Sequence, residues 1–356
     1  MPSFNTPPDL ARSTEGLRVT HALPGLAWAA APLDGPLLAG ASGVRRLGQR
    51  EPLTLHDRLH LGSCTKPITA TTLATLVPCA MTWDMKVTDV FGAAQVHRAY
   101  HDVTLAHLLS HTAGLPPFDE DEHFLEAPPF SGDLGATRED VARFALSQAP
   151  VAEVGEYRYS NAAFGIAAVM AERCTGRPWE ALMQKEVFEP LGLTSAGFGW
   201  PARDHPGEPW GHEPGAAEST WSPHDPNGAY QLHPGIGPAG DVHMSILDFG
   251  VFTRDHLRGL HGRGQVLQEE TYVHLHTPVV ESGRTGLGWG VSGYRGRRAS
   301  SHSGSADTFT ALMLVLPDEG WAFVVVTNSA GEAADAGTRA TLGHLVGRFT
   351  QARVTG

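Results

Sequence analysis

Segments with the pattern of β-strands lie near both ends of this 356-residue chain, and helical patterns fill the middle. Towards the amino terminus, apolar runs at 25–31 and 36–44 flank Asp34-Gly35, a dipeptide typical of a hairpin turn. The simplest way for these two strands to bury their apolar faces is in one sheet with strands from the carboxyl-terminal part of the chain. Four more strands are predicted there, at residues 288–294, 298–302, 308–316 and 321–327. We therefore expect the two ends to meet in one mostly antiparallel sheet.

The segments between these strands are predicted to be helical. Apolar residues recur at helical spacing in the segments 65–77, 103–109, 137–145, 161–175, 179–188 and 245–257, and again at 334–349. We expect one catalytic domain over residues 1–356, of the α+β (mixed α/β) class, with a mostly antiparallel sheet flanked by helices. A sheet lobe of about residues 1–60 and 285–356 would border a cleft with an inserted, mainly helical lobe of about residues 61–284.

Residues 201–240 show little periodicity and are rich in Pro, Gly, His and Trp. A segment of this length without regular elements is usually functional in a compact domain. We expect the stretch from Trp210 through Trp221 to His233 to border the cleft and to help select the substrate. An irregular surface wall is the alternative interpretation.

Charge and composition argue against several classes of partner. The formal net charge is −12 and no run of Arg or Lys occurs, so nucleic acid would be repelled. No run of about 18 apolar residues is present, so no membrane-spanning helix is expected. The first residues lack the zones of a signal peptide, which predicts a cytoplasmic protein. The three cysteines, Cys64, Cys79 and Cys174, lack metal-type spacing, so neither a disulfide framework nor a cofactor is expected.

Ser63 and Lys66 stand three residues apart at the start of the helix predicted over 65–77. Residues at this spacing share one helix face, so the hydroxyl and the amine can come within hydrogen-bond reach. A serine hydroxyl attacks a carbonyl well only when a base takes its proton. A lysine serves as that base when burial or nearby positive charge lowers its pKa. Alone, the pair equally fits an ordinary helix start that is capped by Ser63.

A second motif, Tyr159-Ser160-Asn161, precedes the apolar helix predicted over 161–175. A phenol beside a lysine ammonium can share its proton, and an amide can orient a substrate carbonyl. The structural alternative is that Asn161 merely caps the helix while Tyr159 packs in the core.

The third motif is His302-Ser303-Gly304-Ser305, which leads from one predicted strand towards the next. Gly304 would let a substrate approach the backbone closely. The N–H groups of Ser63 and Ser305 would together form an oxyanion hole. A tight turn between strands is the structural alternative.

In this order and at these separations, the three motifs resemble those of the serine β-lactamase and penicillin-binding-protein superfamily. The resemblance is strongest to its class C-like branch of β-lactamases, esterases and D-aminopeptidases, which carries S-x-x-K, then Y-x-N, then K-T-G or H-x-G. Further matching stretches lie at 108–115, 188–194, 237–240, 286–290 and 324–328, so the resemblance covers about residues 20–350. Jointly these motifs are far more specific than any one of them, and they imply a β-lactamase/transpeptidase-like fold.

The resemblance implies a role for each motif residue. Ser63 would become acylated, Lys66 would take its proton or hold Tyr159 as a phenolate, and Tyr159 would protonate the leaving group. Which of Lys66 and Tyr159 is the main base stays open, because coupled groups titrate as a pair. The residues expected to bind the substrate are Asn161, His302, Ser303 and Gly304.

His302 stands where β-lactam-specialised members of this family usually carry a lysine. Because histidine is mostly neutral near pH 7, it anchors a substrate carboxylate less firmly than a fixed positive charge does. We therefore predict a serine hydrolase that forms an acyl-enzyme on Ser63 and acts as an esterase or as a D-amino-acid peptidase or amidase. A class C-like β-lactamase or a penicillin-binding DD-peptidase is the alternative. The expected partner is a small-molecule ester, amide or β-lactam, and the oligomeric state stays open.

Two alternatives belong to other classes. A metal hydrolase would use some of the 19 histidines, since pairs four residues apart can chelate a metal on a helix. The sequence H-E-x-x-H does not occur, which argues against this class. A non-catalytic binding or scaffold member of the family is the second alternative, although all the expected catalytic side chains are retained. The histidine pairs in question are His56 and His60, His97 and His101, and His107 and His111.

Ser63→Ala is expected to abolish turnover and leave the fold intact, because the substitution removes only the attacking oxygen. Turnover of a p-nitrophenyl ester and the circular dichroism of the variant measure these two effects. Activity within about tenfold of the wild type would contradict the assignment of Ser63.

Overall fold

The strands predicted at the two ends of the chain pair with each other in a computed structural model of the protein. The structure describes residues 6–77, 79–119, 121–215, 220–228, 232–280 and 283–350. Within these residues the strands are β1 (Gly25–Pro32), β2 (Leu38–Gly43), β3 (Arg58–His60), β4 (Gly197–Phe198), β5 (His212–Pro214), β6 (Trp221–Pro223), β7 (Val242–Ser245), β8 (Gly290–Tyr294), β9 (Arg297–Ser305), β10 (Thr310–Leu316) and β11 (Trp321–Thr327).

Helices of very different length connect these strands. The α-helices of the described residues are α1 (Pro8–Thr20), α2 (Thr65–Leu76), α3 (Val87–Phe91), α4 (Leu105–Leu109), α5 (Leu134–Ser147), α6 (Asn161–Thr175), α7 (Trp179–Met183), α8 (Glu189–Leu191), α9 (Pro201–Asp204), α10 (Gly237–Gly240), α11 (Ile246–Gly259), α12 (Glu269–Leu275) and α13 (Glu332–Phe349). Single 3-10 turns lie at Gly62–Cys64, Ala93–Gln95, Arg98–Tyr100, Asp121–Phe124, Pro234–Ile236 and Pro317–Glu319, and a π-helical turn at Gln184–Phe188 joins α7 to α8.

The largest sheet is antiparallel, with the strand order β2-β1-β11-β10-β9-β8. Strand β1, from one end of the chain, pairs with β11 from the other end and sets Ala29 opposite Val324. A smaller sheet, β3-β7-β4, and a hairpin, β5-β6, lie in the middle of the chain. The predicted mixed α/β class, with a mostly antiparallel sheet flanked by helices, is confirmed.

Alternation along β1 divides the hydrophobic core into two layers, since successive side chains of a strand point to opposite faces. Ala29 and its neighbours at every second position face the layer that contains α2, α6 and α11. Leu26 and Trp28 face the layer beneath α1 and α13. A Cβ on Gly250 of α11 would lie only 3.1 Å from the Cβ of Ala29. Small residues on both sides therefore let α11 pack close to the sheet.

Several elements differ from the sequence prediction. Helix α1 precedes the first strand, where no element was predicted, and residues 201–240 contain α9, β5, β6 and α10. The elements within 201–240 have only three or four residues each, which is too short for a periodic pattern to indicate them. Strand β9 continues to Ser305, so the third motif lies within a strand, and the interpretation as a tight turn is wrong. No helix in the described part of the chain is long and apolar enough to cross a membrane.

Two glycines, one packed against the core and one on an open helix surface, give a test of this packing. A Cβ on Gly40 of β2 would lie 2.7 Å from three atoms of the buried Trp28 ring, so Gly40→Ala is expected to destabilise the protein by about 1–3 kcal/mol. Gly16, within α1, has no neighbouring atom within 4 Å of such a Cβ. Gly16→Ala is therefore expected to stabilise the protein by about 0.5–1 kcal/mol. Urea unfolding of the two variants measures both effects, and equal shifts in the same direction would contradict the packing described.

Candidate active site

Ser63 lies in the 3-10 turn Gly62–Cys64, which leads directly into α2. Gly62 has a φ angle of +51°, and a Cβ there would lie 2.6 Å from the carbonyl oxygen of Ser305. A Cβ on Gly304 would collide with the carbonyl oxygen of Leu61 and lie 2.8 Å from the nitrogen of Ser63. Glycine at both positions therefore lets β9 pack against the turn that carries Ser63. The space beside Gly304, which we expected to admit a substrate, is filled by the protein's own backbone.

The side chain of Lys66 is fully buried, and its amine has hydrogen-bond partners on three separate elements. Nζ lies 3.0 Å from Oγ of Ser63, 2.7 Å from Oδ1 of Asn161 and 2.9 Å from the carbonyl oxygen of Ala239 in α10. The last two oxygens can only accept hydrogen bonds. In a neutral amine the two N–H groups would therefore be directed at Asn161 and Ala239. The nitrogen lone pair is then left for the hydroxyl of Ser63.

Burial favours this neutral form of Lys66. Loss of hydration lowers the pKa of Lys66 well below its usual value of 10.5, while the charges of Cys64 and Asp119 act in the opposite direction. A lowered pKa increases the fraction of neutral amine near pH 7. In this neutral form Lys66 would be able to accept the proton of Ser63. That is the role that the sequence predicts for it, and it stays a prediction.

Tyr159 approaches Ser63 from the other side. Its hydroxyl donates a hydrogen bond to Oγ of Ser63 over 2.8 Å, whereas Nζ of Lys66 lies 4.6 Å from the centroid of the tyrosine ring. Burial raises the pKa of Tyr159 above its usual value, and the hydrogen bond to Ser63 partly offsets this effect. The phenol therefore keeps its proton. With the amine of Lys66 neutral, the hydrogen bonds would run in one direction, from Tyr159 to Ser63 and from Ser63 to Lys66; with the amine charged, Nζ donates to Oγ of Ser63.

Asn161 begins α6 and holds the amine of Lys66 in place. Its Nδ2 donates to the carbonyl oxygen of Phe118 over 2.8 Å, which fixes the orientation of the amide and leaves one N–H for a substrate. The side chain of Ser160 accepts from the N–H of Ala163 and is the cap of α6. The alternative in which Asn161 caps this helix is therefore wrong.

His111 contacts the ring of Tyr159. The sequence spacing had suggested only that His111 and His107 could chelate a metal. His111 follows the end of α4, has a φ angle of +59°, and places its ring centroid 4.5 Å from that of Tyr159. Burial and the charge of Lys66 lower the pKa of His111 well below its usual value. Because Nδ1 accepts the N–H of Ser160 over 3.1 Å, the neutral ring carries its proton on Nε2. The only signal in the sequence was the family-like stretch 108–115.

The other histidine pairs do not lie on helices either. His60 is in β3 and stacks on Trp200, with His56 in the turn before it. His97 and His101 flank a single 3-10 turn. The helical spacing on which the metal alternative depended is therefore not formed. In the described ranges no three His, Cys, Asp or Glu side chains are grouped to hold a metal ion.

His302 lies behind Tyr159, away from the expected position of a substrate. It lines a cavity of about 350 Å³ together with His111 and Tyr159, and it is not among the described residues around the cavity at Ser63. Its Nδ1 donates to the carbonyl oxygen of Ser303 over 2.7 Å. Burial lowers the pKa of His302 to about 3, helped by the charge of Lys66, so the ring is neutral. Substrate binding by His302 stays a prediction that this geometry does not favour.

The cavity at Ser63 has a volume of about 520 Å³. Among its described lining residues the charged side chains are Asp119 and Asp307, both acidic. Burial lowers the pKa of His233, so this histidine adds no positive charge. The remaining described lining residues are Ser63, Phe118, Phe124, Tyr159, Asn161, Leu232, Ile236, Ala239, Gly240, Ser303, Ser305 and Ala306.

Ser63 and Ser305 both line this cavity, as an oxyanion hole formed by their N–H groups requires, and that role stays a prediction. Of the described residues in the stretch expected to border the cleft, only Leu232 and His233, at its end, line this cavity. Trp210 instead stacks beneath the guanidinium group of Arg46, and Trp221 donates to the carbonyl oxygen of Ala22.

An antiparallel sheet flanked by helices, with a serine, a buried lysine and a tyrosine at the junction, defines the serine β-lactamase/penicillin-binding-protein-like class of proteins. The family model described as Beta-lactamase matches residues 10–348, and the chain belongs to this family. The predicted superfamily is thus confirmed. The family and its structural neighbours are hydrolases of this fold.

Individual relatives are distant. Penicillin-binding protein 4 from Amycolatopsis lactamdurans is 28% identical over 94% of this chain and 88% of its own length. A D-amino acid amidase from Ochrobactrum anthropi, solved with D-phenylalanine, matches with a TM-score of 0.74 at 21% identity, over 96% of this chain and 98% of its own. An octameric penicillin-binding protein homologue from Pyrococcus abyssi matches with a TM-score of 0.77 at 22% identity, over 95% and 77% of the two chains.

The chain contains only three lysines, Lys66, Lys86 and Lys185, so NMR of isotope-labelled lysine side chains resolves the titration of each. Lys66 is expected to lose its proton well below pH 10.5, because burial lowers its pKa. Lys86 is the internal control, since a hydrogen bond from its amine to Asp102 raises its pKa. Lysine-to-arginine variants assign the signals. A Lys66 signal that titrates at or above that of Lys86 would contradict the proposed state of the site.

Proposed function

We propose that this chain is a serine hydrolase that forms an acyl-enzyme on Ser63 and hydrolyses an ester or an amide, preferably an amide of an amino acid with a free ammonium group. One observation carries the catalytic part of the proposal. Oγ of Ser63 lies between the amine of Lys66 at 3.0 Å and the hydroxyl of Tyr159 at 2.8 Å. A nucleophile with a proton acceptor on one side and a proton donor on the other can carry out both halves of acyl transfer.

In acylation, Oγ of Ser63 attacks the carbonyl carbon and its proton passes to the neutral amine of Lys66. The N–H groups of Ser63 and Ser305 stabilise the negative charge that develops on the carbonyl oxygen. When the bond to the leaving group breaks, Tyr159 gives that group its proton. The products of this half are the acyl-enzyme, the free amine or alcohol, a Lys66 ammonium and a Tyr159 phenolate.

Deacylation reverses these proton movements. The phenolate of Tyr159 takes a proton from a water molecule, and the hydroxide formed attacks the acyl carbon. Oγ of Ser63 leaves and recovers a proton from Lys66, so every group returns to its starting state. Asn161 and Ala239 accept from the amine of Lys66 whether it is charged or neutral, and they keep it in place through both halves.

The charge of the cavity supports the substrate class. Asp119 and Asp307 line it, while the nearby basic groups are either buried or neutral. A carboxylate on the substrate, as β-lactams and the stems cleaved by DD-peptidases carry, would find no fixed positive charge among the described residues that line the cavity. An ammonium group would be attracted. The D-amino acid amidase of similar fold supports an amino-acid amide, and a preference for the D-enantiomer is taken from that neighbour alone.

Asp119→Asn is expected to lower kcat/KM for D-phenylalanine p-nitroanilide by about tenfold, because it removes a carboxylate that attracts the ammonium group. The value for N-acetyl-D-phenylalanine p-nitroanilide, which has no ammonium group, should change little. Steady-state kinetics on the two anilides measures this difference. Asp140→Asn, on the exposed surface of α5, is the matched control and should change neither value.

Three results would contradict the proposal. Equal losses on both anilides would show that Asp119 does not recognise an ammonium group. Fast turnover of nitrocefin with negligible turnover of p-nitrophenyl esters would identify a β-lactamase, the activity class closest to the penicillin-binding relative. A serine-directed fluorophosphonate that fails to label Ser63 would instead support a non-catalytic member of the family.

A further inference from the structure

A second cavity lies beside the one that contains Ser63. It has a volume of about 530 Å³, and we call it the side cavity. It shares Leu232 and His233 with the cavity at Ser63. The segment 232–241 separates the two, since Ala239 lines one cavity and Gly237 lines the other. The side cavity is lined by Phe130, Leu134, Arg138, Trp179, Glu180, Phe198, Gly199, Trp200, Arg203, Leu232, His233, Pro234, Gly237 and Asp241.

The side cavity has an aromatic interior and an apolar rim. Trp179 and Phe198 lie inside it, with ring centroids 5.0 Å apart. At the rim, Phe130 is 53% exposed and Leu134 is 48% exposed, although both are large apolar side chains. Exposed apolar groups around a concave surface are typical of a binding site, because a ligand removes them from water.

A buried donor without an acceptor also belongs to this cavity. Trp179 is only 1% exposed, and its Nε1–H group has no hydrogen-bond partner among the described residues. Buried polar groups are almost always paired, because an unpaired one retains the cost of its lost hydration. The exposed area of Nε1 is below 1 Å², so a ligand in the cavity as it stands does not reach this N–H group, and Trp179 contributes only to the apolar wall.

The charged groups of the side cavity are not equally available. Arg138 is buried and forms ion pairs with Glu172 at 2.6 Å and Glu180 at 3.1 Å, so its charge is already neutralised. Arg203 is exposed, and within the described part of the chain no ion pair engages its guanidinium group. A guanidinium group binds a carboxylate through two parallel hydrogen bonds. Arg203 is therefore the group of the side cavity best suited to an anionic ligand.

We propose that the side cavity is a second binding site, which takes an aromatic ring that carries a carboxylate or an acyl carbonyl. The ring packs against Phe130, Leu134 and Phe198. The oxygen atoms accept from the guanidinium group of Arg203. The ligand is either a free aromatic acid or the distal part of a long substrate, and both have the same chemistry at this site.

The segment that lines the side cavity also holds the amine of Lys66, so a ligand in this cavity would act on the proposed catalytic groups. Pro234 and Gly237 line the side cavity, and two residues after Gly237 the carbonyl oxygen of Ala239 accepts from the amine of Lys66. His233, in the shared wall, accepts the N–H of Gly235 and stacks on Phe124. A ligand that presses on this segment therefore acts on the position of the acceptor that holds Lys66.

Isothermal titration of the full chain with 4-phenylbutyrate tests the site without requiring turnover. The wild type is expected to bind with a Kd below about 1 mM, and butyrate, which lacks the ring, at least about tenfold more weakly. Arg203→Gln and Phe130→Ala should each weaken binding of 4-phenylbutyrate by about tenfold. Both residues are exposed, so the thermal unfolding midpoint should stay unchanged. Arg12→Gln, which alters an exposed arginine on α1, is the matched control and should bind like the wild type.

Absence of saturable binding, or an unchanged affinity in either variant, would overturn the proposal. Because the titration involves no reaction at Ser63, its outcome is independent of the proposed activity. Inhibition kinetics then identifies the source of the ligand. Competition with an ester of 6-phenylhexanoate but not with p-nitrophenyl acetate identifies the distal part of a substrate, and competition with neither identifies a free acid. Competition with both would place the acid at Ser63 and overturn the site.

Discussion

The burial of one amine, that of Lys66, is the constraint on which the site depends. An amine removed from water has to recover its hydrogen bonds inside the protein, or the fold loses several kcal/mol of stability. Here the hydrogen-bond partners come from the turn of Ser63, from the start of α6 and from α10. These elements are far apart in the chain, so the amine is satisfied only when all of them are in position. The same burial lowers its pKa, which favours the neutral amine that the proposed mechanism requires.

The backbone around this amine is held in costly conformations. His111, Phe118 and Asp307 are non-glycine residues with φ angles of +59°, +50° and +54°, and all three are near Ser63 or its partners. Such conformations cost on the order of 1–3 kcal/mol each and persist where surrounding contacts impose them. At Phe118 the unusual conformation has a structural use, because the carbonyl oxygen of this residue accepts a hydrogen bond from Nδ2 of Asn161. Three of the five described non-glycine residues with a positive φ angle thus lie near the site, and the other two are Ala22 and Arg295.

Sequence reasoning was most successful where the pattern was local or long. The pairing of Ser63 with Lys66 follows from helical spacing, and the central strands follow from apolar runs that form β1, β10 and β11. The resemblance to a family predicted that Tyr159 lies beside Ser63 and Lys66. Elements of three or four residues, such as β5 and α10, leave no periodic signal. Helix α1 also escaped prediction, because its apolar face consists of few residues, with Leu10 and Thr14 buried.

Partners that belong to the backbone were beyond prediction from the sequence. The carbonyl oxygens of Ala239 and Phe118 hold the catalytic groups, but every residue has such an oxygen, so its identity carries no information. Gly304 was expected to let a substrate approach the backbone closely. The group that approaches it in the structure is the turn of Ser63. The position of His302 depends on which face of β9 meets Tyr159, and this is decided by tertiary packing.

The electrostatics of the site follow from the same burial. Burial lowers the pKa of Lys66, which favours its neutral form, and it lowers the pKa of His302 to about 3, so His302 adds no positive charge. Asp119 and Asp307 then dominate the potential at the mouth of the cavity. In a site with a charged lysine at the position of His302, the same two carboxylates would be opposed by a fixed cation. With a neutral histidine at this position, the charged side chains among the described residues around the cavity are acidic, and this favours a cationic or neutral substrate over an anionic one.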